Sequence, residues 1–214
     1  MSTPESTRWI EWARALQAIA QNGLHFTKDG YDRQRFEAVR EIAAQMMAAG
    51  CDTPAEAIVG LFSEQAGYAT PKVDVRGVVF REEEILLVRE SDDGRWTLPG
   101  GWCDPNESPS ESVTREIAEE AGFHTQAVKL LAVFDRAKHN HLPLHPFHVY
   151  KLFIRCEIAG HAAQPSLQPN LETSDAVFFA EDQIPELSIG RVTAAQIARM
   201  FQHLRHPEWP SDFD

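Results

Sequence analysis

The sequence has little of what marks a secreted, zinc-built or nucleic-acid-binding protein. It holds three cysteines in 214 residues, Cys51, Cys103 and Cys156, scattered and odd in number. Neither a disulfide framework nor a zinc-ligand spacing can be drawn through them. Cys103 is read as a small buried thiol rather than a nucleophile. Basic residues are scarce as well: 20 Lys and Arg against 32 Asp and Glu leave a formal net charge of −12. That balance argues against a nucleic-acid partner, which would want a basic patch. No apolar run is long enough for a membrane span and no signal-peptide pattern is found, so a reduced, cytoplasmic setting with no membrane partner is expected. Internal repeats and low-complexity segments are missing too. What remains, 43% hydrophobic and 24% charged, is ordinary globular composition, enough for one substantial core and a smaller appendage.

The appendage is read in residues 1–70. Trp9, Trp12, Leu16, Ile19 and Ala20 recur at helical spacing, and Asn22-Gly23 is expected to end that helix. After a turn at Lys28-Asp29-Gly30, Phe36, Val39, Ala43 and Met46 define one face of a second helix that stops near Gly50. Thr53-Pro54-Ala55-Glu56 has the form of a capping box with Pro at the first helical position, opening a short helix to about Ser63. Three short helices make a thin core. The apolar surplus (Trp9, Trp12, Leu16, Phe36, Val39, Met46, Met47) therefore predicts a homodimer through these helices, the alternative being packing on the rest of the same chain. Thr70-Pro71 reads as a linker. Residues 71–214 then switch to strand patterning: Val73 to Phe80, Ile85 to Val88, Val128 to Phe134, Phe147 to Ile158 and Ala176 to Phe179. A final helix begins near Thr193, with Gln196 completing its cap. Strands, helix, strands and a last helix suit an α/β chain whose sheet lies between helices.

Chemistry concentrates between Gly100 and Phe123, GGWCDPNESPSESVTREIAEEAGF. Ser108 as N-cap, Pro109 at the first helical position and Glu111 three residues after the cap announce a helix, and Gly122 stops it. Glu116, Glu119 and Glu120 fall at i, i+3 and i+4, so they share one face about 5–6 Å apart. Val113, Ile117 and Ala121 form the apolar stripe. Three crowded carboxylates repel one another unless a hard divalent cation such as Mg²⁺ joins them; taken alone they also fit a solvated acidic face.

Gly101, Glu107, Arg115-Glu116-Ile117, Glu119-Glu120, Gly122 and Phe123 stand at the spacing of the Nudix box, nine positions over twenty-three residues, and the stretch resembles that box at every defined position. The resemblance implies an α/β/α sandwich with a mixed sheet, preceded here by the small all-α domain. It also implies a Mg²⁺- or Mn²⁺-dependent hydrolase cutting a nucleoside diphosphate linked to another moiety. By the same resemblance Glu116, Glu119, Glu120 and the Gly100 carbonyl hold metal, Arg115 orients the carboxylates, and Glu116 or a loop carboxylate acts as base. Glu172, ahead of the strand at Ala176, is the loop candidate, with Glu157 the alternative. The N-terminal unit, WTLPGGW, HVYKLF and ETSDAVFFAEDQIPELSIGRV together resemble a bacterial Nudix subgroup with an added N-terminal domain. That subgroup includes a CDP-choline pyrophosphatase and is often labelled ADP-ribose pyrophosphatase.

One more stretch stands out, RAKHNHLPLHPFHV from Arg136, with His139, His141, His145 and His148 and two prolines. No cysteine joins the histidines and their spacing matches no structural zinc cluster. Arg136, Lys138, His139 and His148 are the expected contacts for substrate phosphates or base edges, against the plain alternative of a solvated loop. A reading from another class also stands at this point: a non-catalytic Nudix module that senses a nucleotide and regulates a partner through its helices.

Overall fold

Helical spacing of apolar residues folds the first unit. A computed structural model describes residues 8–50, 53–159 and 172–214; Cys51, part of the cysteine reading above, lies outside them. Helices α1 (Arg8–Phe26), α2 (Gly30–Ala48) and α3 (Ala55–Ser63) bury Ile10, Ala13, Ala43, Ala44, Met47, Ile58 and Phe62 among themselves. The segment Leu144–His148 belongs to this unit. Phe147 lies against Phe62 with ring centroids 6.1 Å apart, and Arg14 Nε donates to the His145 carbonyl at 2.9 Å.

Two local expectations are corrected here. Helix α1 runs through Asn22-Gly23 to Phe26. Gly23 serves as a packing notch: a Cβ there would stand 2.4 Å from the Phe36 ring of α2. At α3 the boundary falls one residue later than the sequence suggested, so Pro54 occupies the cap position and no side-chain capping bond forms. By contrast Asp29 does cap α2, its carboxylate accepting from the Asp32 amide at 2.9 Å.

The second unit is a mixed sheet with a helix on each face. Strands β1 (Lys72–Arg81), β2 (Glu84–Glu90), β3 (Trp96–Thr97), β4 (Thr125–Asp135), β5 (Val149–Ile158), β6 (Thr173–Ala180) and β7 (Asp212–Phe213) join in the order β3-β2-β1-β5-β4-β7, with β6 also on β2. β1 runs parallel to β5, placing Asp74 beside Lys151, while β4 is antiparallel to β5. β2 meets β1 only at the hairpin, at Phe80–Ile85 and Arg81–Glu84, and β3 at Val88 and Arg89, while β6 pairs with it along its whole length. The edge of β1 left open is taken by the extended stretch from Pro99 to Cys103. Gly77 N donates to Pro99 O at 2.7 Å, Val75 N to Gly101 O at 2.8 Å and Cys103 N to Val73 O at 3.0 Å.

Strand alternation divides the core. Val75, Val79, Leu86, Val88, Ile154 and Cys156 face α4 (Pro109–Ala121), which lays Val113, Ile117 and Ala121 on them. Val78, Ile85, Leu87 and Phe153 face α5 (Ala194–Arg205) through Ile197, Met200 and Phe201. Asp74, Arg76 and Lys151, at alternate positions with Val78 and Phe153, fall on this second face and are buried. Of the two thiols among the described residues, Cys156 is buried and pushed up to about 12, while Cys103, expected to be buried, is only half-buried and is raised by that burial.

Candidate active site

Helix α4 carries the site, and its ends are fixed by its own sequence. Ser108 and Glu111 exchange both capping-box bonds, Pro109 sits at the first helical position, and Gly122 closes the helix in the left-handed conformation at φ 71°. Such a cap contributes about 1 kcal/mol. From this helix Arg115 hydrogen-bonds three carboxylates and comes within 3.7 Å of a fourth, Asp104. Its Nε and one Nη grip Glu107 at 2.9 and 3.0 Å, a two-pronged fork. The other Nη donates to Glu116 at 3.1 Å and Glu119 at 2.9 Å. Hydrogen bonding from Arg115 holds the Glu107 carboxyl below its ordinary range.

The three glutamates differ in surroundings. Glu116 is 8% exposed and Glu120 5%, whereas the Glu119 side chain is 58% exposed. Burial raises the pKa of Glu116. Glu120 is pushed up to about 8 by burial, against the opposing pull of the Arg76 charge and of the Gly100 amide. That amide donates to Glu120 Oε2 at 2.8 Å. Gly100 is at φ +138°, and a Cβ on it would stand 2.0 Å from the Val75 carbonyl oxygen, so only glycine fits. The ladder with β1 takes the carbonyls on either side of Gly100 and not its own.

The start of β6 meets the far end of the same helix. Thr173 Oγ1 donates to the Glu120 carbonyl at 2.9 Å, and Ser91 N donates to the carbonyl of Glu172 at 2.8 Å. Glu172 is exposed and adjoins the residue that touches α4. Glu157, within β5, is paired along its strand with Arg155 at 3.9 Å.

The residues proposed for substrate contact are distributed. Arg136 is buried and donates to the carbonyls of Pro143 at 2.8 Å and Gly190 at 3.3 Å. Lys138 is exposed, His139 Nε2 is 3.0 Å from Asp214 Oδ1, and His148 is exposed in the segment that packs with the first unit. His141, which carried no separate role in the sequence, is buried. Its Nδ1 lies 2.9 Å from the Ile189 carbonyl and its Nε2 3.0 Å from the Gln196 amide nitrogen. Since a carbonyl only accepts, Nδ1 carries the proton and Nε2 accepts from Gln196. Burial lowers this imidazole to about 3, which keeps it neutral.

Sequence reasoning passed over one group, the ion cluster on the other face of β1. Lys151 Nζ is 2.6 Å from Asp74 Oδ1, and Arg76 grips both Asp74 oxygens at 2.9 and 2.7 Å while donating to Leu98 O at 3.2 Å. Burial acts to raise Asp74, but the two cations outweigh it and hold the carboxyl at about 2. Its signal was three charges inside otherwise apolar strands, VDVRGVVF and HVYKLF.

All-oxygen donors on one helix face suit a hard divalent cation. With Glu119 drawn to Arg115, no group of three or more His, Cys, Asp or Glu among the described residues is arranged to hold a metal ion. The donor chemistry fits, since two buried carboxylates and one exposed carboxylate share one face of α4.

A sheet between two helices, with this box on one of them, defines a Nudix hydrolase, and the chain belongs to that family. The NUDIX domain model matches residues 70–201, and a model described as "UDP-X-like, N-terminal oligomerisation domain" matches residues 7–62. YjhB of Bacillus subtilis (strain 168), provisionally named an ADP-ribose pyrophosphatase, is 47% identical over 208 residues, 97% of this chain and 98% of that one. The crystal structure of an ADP-ribose pyrophosphatase from Streptococcus suis 89-1591 is 41% identical, covering 68% of this chain and all of that one at TM-score 0.60. A UDP-X diphosphatase structure is 32% identical, covering 99% of this chain and 100% of that one at TM-score 0.61. The chain is a catalytic Nudix pyrophosphohydrolase of a nucleoside-diphosphate-linked substrate, so the pure sensor reading falls away. Nudix enzymes generally use a divalent metal. No helix among the described residues is long and apolar enough to cross a membrane.

Proposed function

We propose that the protein hydrolyses the pyrophosphate bond of ADP-ribose or a closely similar nucleoside diphosphate derivative, with CDP-choline the other candidate of the same type. The products are a nucleoside monophosphate and a phosphorylated partner, ribose 5-phosphate or phosphocholine. The observation that carries this reading is the complete Arg115–Glu107–Glu116–Glu119 network beside a Glu120 bonded to Gly100. Two relatives named for ADP-ribose favour that member; the UDP-X diphosphatase likeness adds UDP-linked compounds to the panel to be tested.

In this reading Glu116, Glu119, Glu120 and the Gly100 carbonyl hold Mg²⁺ or Mn²⁺. A bound divalent ion neutralises diphosphate charge and makes hydroxide available near neutral pH. Arg115 keeps Glu116 and Glu119 aimed from one guanidinium, and Glu119 would have to turn from it to serve as a ligand. Glu116 or Glu172 accepts the proton of the attacking water. Arg136, Lys138, His139 and His148 are assigned to substrate binding. Arg136 acts through the carbonyls of Pro143 and Gly190, which shape the loop. We place the domain boundary at residues 70 and 71, the protein in the cytoplasm, and the assembly as a homodimer through the N-terminal helices.

Incubation with Mg²⁺ and ADP-ribose, CDP-choline and UDP-sugars, with products separated by chromatography, tests the substrate. AMP release from ADP-ribose at the highest kcat/KM is expected. Preference for a cytidine or uridine compound would overturn the ADP-ribose assignment, and tight binding of every member without monophosphate release would overturn the proposed reaction.

A further inference from the structure

The buried cluster on the α5 face of β1 is unused by the chemistry above, yet it is tied to it by an unbroken chain of contacts. Lys151 Nζ holds Asp74 Oδ1 at 2.6 Å, and Arg76 closes a fork on the same carboxylate. The third contact of Arg76 goes to the carbonyl of Leu98 at 3.2 Å. Two residues further on, the Gly100 amide meets Glu120 at 2.8 Å. Between them Pro99 O is pinned by the Gly77 amide, so the stretch from Leu98 to Gly101 is held by β1 both through its side chains and through its backbone.

Such a cluster needs a reason. Asp74, Arg76 and Lys151 are 5%, 4% and 2% exposed, and burying three charges is costly even when they are paired. Apolar residues at these positions would extend the surrounding core with Val78 and Phe153. A fork gives something that an apolar contact does not, a fixed direction. Here that direction ends on the backbone that presents Gly100.

We propose that Lys151, Asp74 and Arg76 are positioning residues for the metal-binding carboxylates: Lys151 and Arg76 fix Asp74, Arg76 thereby fixes the Leu98 carbonyl, and the strand so placed aims Gly100 at Glu120. The inference rests on the assignment of Glu116, Glu119 and Glu120 as the metal site. Groups that orient ligands from behind are worth about 10–100-fold in metal affinity or activity.

The test uses the full-length protein, titrated with Mg²⁺ and read by thermal shift and by turnover. Arg76→Lys keeps the charge and loses the fork. The expected result is an apparent Mg²⁺ affinity about tenfold weaker and a smaller Mg²⁺-induced rise in Tm. At saturating Mg²⁺, KM should stay within about twofold and most of kcat should return. Lys151→Met, which fills the same volume, is the second variant, with the same direction and a smaller effect; it carries the test if Arg76→Lys does not fold. Either folded variant responding to Mg²⁺ as wild type does would overturn the proposal. Glu120→Gln is the control for the underlying assignment. If wild type and Glu120→Gln respond alike to Mg²⁺, the metal-site reading itself fails; if only Glu120→Gln differs, the metal site stands and the positioning network fails.

Discussion

Glu120 shows how one buried residue can oppose the stability of the fold. A carboxyl moved from 4.5 to about 8 by burial binds a proton in the folded state that the unfolded chain has already released. Across that window the folded form binds more protons, so stability falls as pH rises from about 4.5 toward 8. The full cost, reached once the group ionises, is on the order of a few kcal/mol. Glu116, also raised by burial, adds in the same direction. Metal-free protein is therefore expected to lose Tm between pH 5 and pH 8, with Mg²⁺ restoring more of it at the higher pH because a cation binds the ionised form. Glu120→Gln should flatten the metal-free profile and raise stability at pH 8. Parallel Tm profiles for wild type and variant across this range would contradict the account of Glu120.

At the scale of elements, the loop after β4 is fastened to the start of α5 through His141. Thr193 and Gln196 form the α5 capping box, and Gln196 spends its amide group on His141, whose other nitrogen holds the Ile189 carbonyl. His141→Leu strands both partners and should cost about 1–3 kcal/mol in a urea melt. The linkage sign here is opposite to that of Glu120. The imidazole is lowered from 6.5 to about 3, so the unfolded chain binds the proton first and stability is lost as pH falls from about 6.5 toward 3. The variant should lose less stability than wild type over that range, and an acid limb as steep in the variant would contradict the assignment. This element also marks how far the sequence could be read. Helix α4 was legible to the residue because its cap, apolar stripe and stop glycine are all local signals. The α5 cap was legible for the same reason. Strands β3 and β7, two residues each, carry no period to detect, and they exist through the pairing of distant segments. Asn22-Gly23 misled because the glycine answers to Phe36 on another helix. Of the candidate site, the shared face of the three box glutamates is read from spacing, and Arg115 from the resemblance to the Nudix box. The burial of Arg136 and His141, and the link from Lys151 to Gly100, depend on which strands become neighbours.

For the whole molecule, assembly and activity are the two claims. The apolar surplus of the N-terminal helices divides: Trp9, Leu16, Met46 and Met47 pack into the helical unit, while Trp12 remains 55% exposed. With it, Ile19 at 56% and Phe26 at 66% form a stripe at seven-residue spacing along α1, the kind of face a second copy covers. Trp12→Glu with Ile19→Glu should convert a homodimer to monomer in light scattering at micromolar concentration while leaving the far-UV signal intact; a wild-type monomer would contradict the dimer outright. The central claim is that the α4 carboxylates carry pyrophosphate hydrolysis, and the most direct measurement is the turnover of full-length Glu120→Gln on ADP-ribose at saturating Mg²⁺. Loss of a ligand worth several kcal/mol of transition-state stabilisation predicts a fall in kcat on the order of a hundredfold or more, in a protein that still melts cooperatively. Wild-type turnover in the folded variant would contradict the account.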